Sequence, residues 1–102
     1  MPISHTVSET ADACTVHLVG ELDMAEIEAV TGWLKQVVDA CTHPVVEVDL
    51  AETIFLDSTG LSGLIRVYQY AHGRGVELRC VNPRPWLRRI FDLAGVSPYF
   101  GL

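Results

Sequence analysis

The apolar residues of this chain follow two different spacings, and the alternation between them constrains the fold more than any other sequence feature. In residues 14–19, 46–50 and 76–80 every second residue is apolar, which is typical of a strand with one buried face. A weaker segment at residues 2–8 is consistent with an edge strand. Between these segments, apolar residues recur every three or four positions, which indicates amphipathic helices.

Three helices are predicted by this longer spacing. The first has apolar residues at positions 27, 30, 34, 37, 38 and 41, and Asp23 followed by Glu26 resembles a capping box before it. The second has apolar residues at positions 61, 64, 65 and 68 and ends at two glycines. The third begins near the Asn-Pro pair at 82–83, has apolar residues at 87, 90, 91 and 94, and is followed by Gly95, a suitable C′ residue.

The predicted order of elements is therefore β-β-α-β-α-β-α, with short connections. This order predicts one α/β domain over residues 1–102, with a mixed sheet of four to five strands and the helices packed on one face. Strands connected through a helix should be parallel, with right-handed crossovers. A length of 102 residues is enough for one such domain and too short for two.

The charge is unevenly distributed along the chain. The net charge is −6, with eleven acidic residues against Lys35 in residues 1–57 and six arginines against two acidic residues in residues 58–102. An acidic chain repels phosphate backbones, so we expect no direct binding to nucleic acid, and we interpret most arginines as solvated charges on helix surfaces. No apolar run approaches the roughly 18 residues that cross a bilayer, and the first residues do not resemble a signal peptide. We therefore expect no membrane association and a cytoplasmic location.

The three cysteines, Cys14, Cys41 and Cys80, are odd in number and widely spaced. They form no C-x-x-C pair, so neither a disulfide framework nor a zinc site is indicated. Each cysteine falls on an apolar face of its predicted element. We therefore expect three buried thiols in a reducing cytoplasm.

Catalytic motifs are matched only in part. A G-x-S-x-G motif around Ser58 would require glycine where Leu56 stands, and the D-[ST]-G motif of aspartic proteases is interrupted by an extra residue after Asp57. The four histidines are scattered without metal-ligand spacing, and His17 is interpreted as an outward-facing strand residue. We therefore expect no enzyme activity, no metal and no cofactor.

The stretch FLDSTGLSGL at residues 55–64 predicts the start of the second helix, with Asp57 or Ser58 as its N-cap. Two interpretations of Gly60 and Gly63 stay open. The glycines either clear the first exposed turn for another surface or allow the helix to pack tightly on the sheet. The free amides and the dipole at a helix N-terminus favour an anion, so Ser58 is also a candidate for phosphorylation.

The chain resembles the STAS domain family, and in particular the bacterial anti-sigma factor antagonists. VDL at residues 48–50 and FLDSTGL at 55–61 are similar to the family motif V-D-L…F-x-D-S-[ST]-G-L. GELD at 20–23 is similar to the G-x-[LI]-[DN] turn of the family, and NP at 82–83 with IFDLAG at 90–95 resembles its closing helix. The resemblance covers essentially the whole chain, in the same element order, as a single STAS domain.

The resemblance implies a binding protein that works by partner switching. The unphosphorylated form would bind an anti-sigma factor, itself a serine kinase of the GHKL type, and so release the sigma factor. Phosphorylation of the serine after the motif's aspartate, here Ser58, would end the binding, and a PP2C-type phosphatase would restore it. The alternative is a STAS scaffold or ligand-binding module of a stress-signalling assembly without a phosphorylation switch.

The resemblance also implies a partner surface around Ser58. Its expected members are Glu21, Asp23, Asp57, Ser58, Thr59, Gly60 and Ser62. With Glu52, the three acidic members would form an acidic rim, which favours a partner of complementary positive charge. Glu52 and Ser62 depart from the small residues that are common at these positions in the family, while Thr59 keeps the hydroxyl that many members have.

Overall fold

The computed structural model of the protein describes residues 3–102, which form a four-stranded mixed sheet, three α-helices and a short 3₁₀ helix. The elements in chain order are β1 (Ser4–Glu9), β2 (Ala13–Leu22), α1 (Ile27–Ala40), β3 (Val45–Leu56), α2 (Ser58–Gly73), β4 (Glu77–Val81), α3 (Pro85–Ala94) and the 3₁₀ helix (Ser97–Phe100). The strand order in the sheet is β1-β2-β3-β4, with β1 antiparallel to β2 and the other neighbouring pairs parallel. The predicted α/β class and the parallel pairing of helix-connected strands are confirmed.

The predicted strands all correspond to observed ones. Residues 14–19 lie within β2, residues 46–50 lie within β3, and β4 begins one residue after the predicted start at 76. β1 contains residues 4–8 of the predicted edge strand at 2–8, of which position 2 lies outside the described residues.

β3 is longer than its alternating pattern predicted, because it continues through polar residues to Leu56. Thr53 is buried there, and its hydroxyl donates a hydrogen bond to the Leu18 carbonyl of β2 at 3.1 Å. The pairing of β2 with β3 shifts register twice along this extension, which indicates bulges, and Gly20 adopts the positive φ of 121° beside the second shift. The extension carries the chain directly to the start of α2.

One face of the sheet is covered and the other is open, as the alternating strands predicted. In β3, Val46, Val48 and Leu50 are buried, whereas the intervening Glu47 and Asp49 are partly exposed. The buried strand residues form one apolar cluster with residues from all three helices, including Leu34, Leu64 and Leu87. Because burial of such side chains stabilises a fold by about 1.5–3 kcal/mol each, this one-sided core holds the helices on the sheet.

The buried face of α2 differs from the predicted apolar stripe. Leu64 is fully buried, but Leu61, Ile65 and Tyr68 are only partly buried. The helix instead buries the face that carries Gly60, Gly63, Leu64, Val67 and Ala71. The small residues on this face allow close approach, so they decide which side of α2 is covered.

The stripe of α1 is confirmed at most of its positions, since Ile27, Val30, Leu34 and Val38 are buried. The third helix starts later than predicted, and the last residue of its predicted apolar stripe is not buried. α3 begins at Pro85 rather than at 82–83, where Asn82 has a φ of 56°, and Ala94 is exposed.

Gly95 is confirmed as the residue that ends α3. It adopts the left-handed conformation with a φ of 73°, and its amide donates to the carbonyl of Asp92 at 3.1 Å. The amide of Val96 donates to the carbonyl of Phe91 at 3.1 Å. These bonds satisfy carbonyls at the end of the helix, as in the Schellman motif.

The expectation of three buried thiols is wrong for two of the cysteines. Cys14, at the start of β2, and Cys41, directly after α1, form a disulfide between residues that are 27 positions apart. Cys80 in β4 is a buried free thiol, as expected. The pairing could not be inferred from spacing, because it depends on where the end of α1 packs against the sheet.

The six arginines are all exposed, which agrees with their interpretation as solvated charges. Several contact acidic groups on the surface; the Arg74 side chain, for example, lies 2.9 Å from a carboxylate oxygen of Asp39. Arg84 instead donates a hydrogen bond from Nε to the Ala51 carbonyl at 2.9 Å, near the extension of β3. Within residues 3–102, no helix combines the length and the hydropathy needed to cross a membrane.

Candidate functional site

Asp57 occupies the junction between β3 and α2 and connects three parts of the chain. As the N-cap of α2, it accepts a hydrogen bond at Oδ1 from the Gly60 amide at 2.8 Å. Its Oδ2 accepts a hydrogen bond from the Met24 amide at 3.2 Å, and its own amide donates to the Leu22 carbonyl at 3.4 Å. One carboxylate therefore holds both the helix N-terminus and the turn that follows β2.

The turn after β2 is organised by Asp23. Its Oδ1 accepts hydrogen bonds from the amides of Ala25 at 3.0 Å and Glu26 at 3.2 Å. Asp23 therefore makes the side-chain bonds of the predicted capping-box-like start, although α1 itself begins at Ile27 with Glu26 as its N-cap. The turn leads directly into α1, since the Ile27 amide donates to the Asp23 carbonyl at 2.9 Å, and it is the turn that Asp57 contacts.

Gly60 and Gly63 serve internal packing, which decides between the two interpretations of these residues. A Cβ atom on Gly60 would overlap the Leu22 carbonyl oxygen and would lie 2.9 Å from Cδ1 of Leu56. A Cβ atom on Gly63 would overlap the side chain of Ile27. Both glycines are buried by the chain itself, so Gly60 does not present an exposed surface to a partner. It acts indirectly, by allowing the turn after β2 to lie against α2.

The three hydroxyl groups at the start of α2 differ in exposure. Ser58, the first residue of the helix, is exposed, whereas Thr59 is partly buried. Ser62, one turn later, is exposed as well. A negative group on the first residue of a helix lies near the positive end of its dipole. Ser58 therefore combines access from solvent with a position that favours a phosphate.

The acidic residues around Ser58 form a smaller group than predicted. Glu21, Asp23 and Asp57 are partly buried in the turn and at the junction, at the same end of the sheet as Ser58. Glu52 is exposed but pairs with Val19, five residues before Asp57 on β3. At about 3.3 Å per strand residue, Glu52 lies roughly 15 Å along the strand from the junction. The acidic rim therefore consists of Glu21, Asp23 and Asp57, without Glu52.

Exposed apolar side chains also lie near Ser58, and the sequence reasoning missed them. Met24 is 74% exposed in the turn, and Ile54 and Phe55 are 47% and 45% exposed at the end of β3. Phe55 lies opposite Glu21 in the sheet. Large apolar side chains that remain exposed together are typical of interaction surfaces. The sequence signal for Ile54 and Phe55 was the apolar run IFL at 54–56, directly before Asp57, which breaks the strand alternation.

The open face of the sheet contains a chain of hydrogen bonds across three strands. His17 in β2 lies 3.0 Å from Asp49 of β3 through Nδ1 and 3.0 Å from Ser8 of β1 through Nε2. This is the order of contacts in a serine hydrolase triad. However, the cavity beside His17 and Asp49 is only about 20 Å³, close to the minimum that holds one water molecule. We therefore interpret the three side chains as a cross-strand link, and His17 faces outward as predicted.

Other places that could hold a ligand lie away from Ser58. No group of three or more His, Cys, Asp or Glu side chains in residues 3–102 is arranged to hold a metal ion. A cavity of about 280 Å³ lies between α2 and the 3₁₀ helix. Its lining residues are Ile65, Tyr68, Gln69, Val96, Tyr99 and Phe100.

Comparisons with known proteins agree with the fold of the chain. Residues 5–98 match the family model described as Mlab, STAS domain. The anti-sigma F factor antagonist of Lysinibacillus sphaericus is 27% identical over 93 residues, which cover 88% of this chain and 77% of that protein. The crystal structure of an anti-sigma factor antagonist from Mycobacterium paratuberculosis aligns with a TM-score of 0.83 and 28% identity, over 96% of this chain and 82% of that chain.

The fold is also that of SpoIIAA, an anti-sigma factor antagonist solved in two forms. Its unphosphorylated form aligns with a TM-score of 0.76 over 94% of this chain and 84% of that chain, at 18% identity. Its phosphorylated form aligns with a TM-score of 0.70 over 94% of this chain and 87% of that chain. At this identity the likeness concerns the fold alone.

Proposed function

Because the chain belongs to the STAS domain family, we propose that it is an anti-sigma factor antagonist that is switched by phosphorylation of Ser58. The unphosphorylated form binds an anti-sigma factor and releases the sigma factor. The anti-sigma factor is proposed to be a serine kinase of the GHKL type, and a PP2C-type phosphatase restores the binding form. The chain then acts by binding rather than by catalysis, in the cytoplasm, where its kinase finds ATP.

The observation that carries this proposal is the exposed position of Ser58 beside the carboxylate that joins α2 to the turn after β2. Asp57 fixes the first turn of α2 through Gly60 and fixes the turn through Met24. The acceptor hydroxyl is therefore presented on a rigid surface, and a kinase reaches it without unfolding the helix. The names of the relatives, which are anti-sigma factor antagonists, support the same function.

The proposed binding surface is the end of the sheet around Ser58. It combines the acidic group of Glu21, Asp23 and Asp57 with the exposed apolar side chains of Met24 and Phe55. A partner that binds there buries apolar side chains and offers positive charge to the acidic group. Thr59 directly follows Ser58, Ser62 lies one turn later on α2, and both contribute hydroxyl groups to the contact.

Phosphorylation ends binding through local electrostatics in this proposal. A phosphoserine carries a charge of about −1.5 to −2 at pH 7 and is strongly hydrated. At position 58 this group stands next to Asp57, so burial against a partner removes water from two neighbouring negative groups. A thousandfold loss of affinity requires only about 4 kcal/mol. The helix dipole favours the same phosphate within the free chain, so the fold persists.

The test is phosphorylation of the chain by the anti-sigma factor of its own host, in the presence of ATP and Mg²⁺. The wild type is expected to gain one phosphate by intact mass and to leave the complex. Ser58→Ala is expected to gain none and to stay bound in a pull-down, while Ser58→Asp binds weakly. Ser62→Ala, which removes an exposed hydroxyl from the same helix face one turn later, is the control for phosphorylation: it should gain one phosphate and leave the complex on addition of ATP as the wild type does, even where the lost hydroxyl contact lowers its affinity.

A second measurement separates the proposal from a STAS scaffold or ligand-binding module that is never phosphorylated. The intact mass of the chain purified from its host is expected to contain a fraction with one phosphate, lost in a Ser58→Ala strain and on phosphatase treatment. A Ser58→Ala protein that is still phosphorylated, or that dissociates from the complex when ATP is added, contradicts the proposal.

A further inference from the structure

The Cys14–Cys41 pair lies outside the proposed binding surface. Cys14 is the second residue of β2, and Cys41 directly follows α1. Ser58 lies beyond the opposite end of β2. The Cα atoms of the two cysteines are 6.2 Å apart, within the range of disulfides. The pair therefore connects the end of α1 to the sheet without involving the residues assigned to the partner.

A cavity of about 450 Å³ gives access to this pair. It is lined by residues of β1, β2 and the end of α1, namely Val7, Ser8, Glu9, Cys14, Val37, Ala40, Cys41 and Thr42. Cys41 is partly buried and Cys14 is 8% exposed. Cys14 and Cys41 thus both line an opening that is large enough for a peroxide or a small thiol. Partial exposure is one of the features that distinguish reactive cysteines from inert core cysteines.

The surroundings of Cys41 also suit a reduced thiol. Its Sγ atom lies 3.6 Å from the His43 carbonyl oxygen and 3.8 Å from the Val45 carbonyl oxygen. An S–H group is a weak donor, so either carbonyl accepts a hydrogen bond from the Cys41 thiol when the disulfide is open. Cys41 therefore has a partner in both redox states: Cys14 in the disulfide, and a backbone carbonyl in the reduced form.

Cys80 provides the internal contrast. It is 2% exposed on β4, and burial raises the pKa of its thiol far above the ordinary value. A thiol that remains protonated is a poor nucleophile, so oxidants react with it slowly. The chain thus contains a cysteine pair that is reached through the partly buried Cys41 and a third cysteine, Cys80, that is enclosed in the core.

We propose that Cys14 and Cys41 form a reversible oxidation site, at which a peroxide closes the disulfide and a low-molecular-weight dithiol opens it. Cys41 gives up its thiol proton, its thiolate attacks one peroxide oxygen, the O–O bond breaks, and the other oxygen takes up that proton and leaves as water or alcohol. Cys14 then attacks the sulfenic sulfur of Cys41 and expels hydroxide, which takes up a proton. The two sulfurs lose two electrons, and the peroxide gains them.

This site adds a second covalent modification to the chain, independent of Ser58. The disulfide holds the end of α1 against the start of β2 and so restrains the part of the domain far from the partner surface. In a reducing compartment the pair stays open until an oxidant appears. The expected effect of oxidation is therefore greater resistance to unfolding, with binding at the Ser58 surface retained.

The test is thiol trapping of the full-length chain in its host, before and after exposure to hydrogen peroxide. Cells are quenched in acid, free thiols are alkylated, and the intact mass is measured before and after reduction. The unstressed protein is expected to carry three alkylated cysteines, and the stressed protein one, Cys80. Two outcomes overturn the proposal: a disulfide that is complete without stress, which indicates a permanent cross-link, or three free thiols under both conditions.

Purified protein gives the matched controls. Peroxide should remove two hydrogens from the mass of the wild type and of Cys80→Ser, and dithiothreitol should restore them. Cys14→Ser and Cys41→Ser should lack this reversible change. If either single variant fails to fold, the wild type treated alternately with peroxide and dithiothreitol still decides the question. Loss of the reversible change in Cys80→Ser would contradict the assignment to Cys14 and Cys41.

Discussion

The carboxylate of Asp57 accepts a hydrogen bond from the Met24 amide at 3.2 Å, although the two residues are 33 positions apart in the chain. The same carboxylate caps α2 through Gly60. Because one side chain serves both contacts, the position of the turn after β2 and the start of α2 depend on each other. The proposed phosphorylation site lies directly after this residue, so changes at Asp57 should affect stability and partner binding together.

Replacement of Asp57 by alanine is expected to lower the free energy of unfolding by about 1–2 kcal/mol, through loss of the N-cap. Asp57→Asn keeps one oxygen that caps the helix but offers an NH₂ group to the Met24 amide. It should therefore retain most of the stability while the Met24 amide exchanges its hydrogen faster. Urea unfolding and hydrogen exchange measure the two effects. Unchanged protection of Met24 in Asp57→Asn would show that the second contact is unimportant.

Gly60→Ala is expected to lower the free energy of unfolding by about 1–3 kcal/mol, because overpacking of a close contact has costs of this size. The added Cβ would overlap the Leu22 carbonyl oxygen, a backbone atom that cannot rotate away. The effect opposes helix propensity, which favours alanine by about 1 kcal/mol.

Gly32→Ala is the control for the Gly60 substitution. Gly32 lies within α1, and no atom would come within 4 Å of its added Cβ. The substitution should raise the free energy of unfolding, measured with urea, by about 0.5–1 kcal/mol, as expected for an exposed helix position. Equal effects of the two substitutions would contradict the packing role of Gly60.

Phosphorylation of Ser58 is expected to change amide chemical shifts only near the site. The affected residues should be 22–26 and 57–62, since the helix dipole favours the phosphate and no core contact is altered. Two-dimensional NMR of the chain before and after treatment with its kinase measures this change. Large shifts in β1 or β4 would indicate a change of fold instead of a local switch.

As the pH falls, Ser97→Ala is expected to lose less of its free energy of unfolding than the wild type does. A hydrogen bond from Ser97, and then Arg88, hold the pKa of Asp92 below its ordinary value. A lowered pKa in the folded chain gives stability that is present above the unfolded value, near 3.9, and is lost as the pH falls through the folded value. In Ser97→Ala this loss should shrink. An NMR titration of Asp92 that is identical in both proteins would rule out the contact as the cause.

Reduction of the Cys14–Cys41 disulfide is expected to lower the free energy of unfolding by about 3–4 kcal/mol, from the chain entropy of a closed loop of this length. Urea unfolding with and without dithiothreitol measures the difference. Cys80→Ser should show the same difference, and Cys14→Ser should show none. A reduced protein as stable as the oxidised one would mean that the end of α1 is held by packing alone.

Local patterns in the sequence determined which elements form and where most of them lie. The strands around positions 14–19 and 46–50, the stripe of α1 and the left-handed Gly95 were all predicted. These features depend on residues within a few positions of one another, through side-chain periodicity and the hydrogen bonds of a helix end. The N-cap of α2 was narrowed to Asp57 or Ser58 for the same reason, because the Gly60 amide that Asp57 binds is only three residues away.

The role of the helix-start glycines, the cysteine pairing and the second contact of Asp57 were decided only by the tertiary structure. The sequence left two interpretations of Gly60 open, because it does not reveal that the Leu22 carbonyl lies against α2. Cys14 and Cys41 meet because α1 returns to the start of β2. Contacts between residues about 30 positions apart depend on how helices pack on the sheet, and that packing follows from the whole core rather than from any short segment.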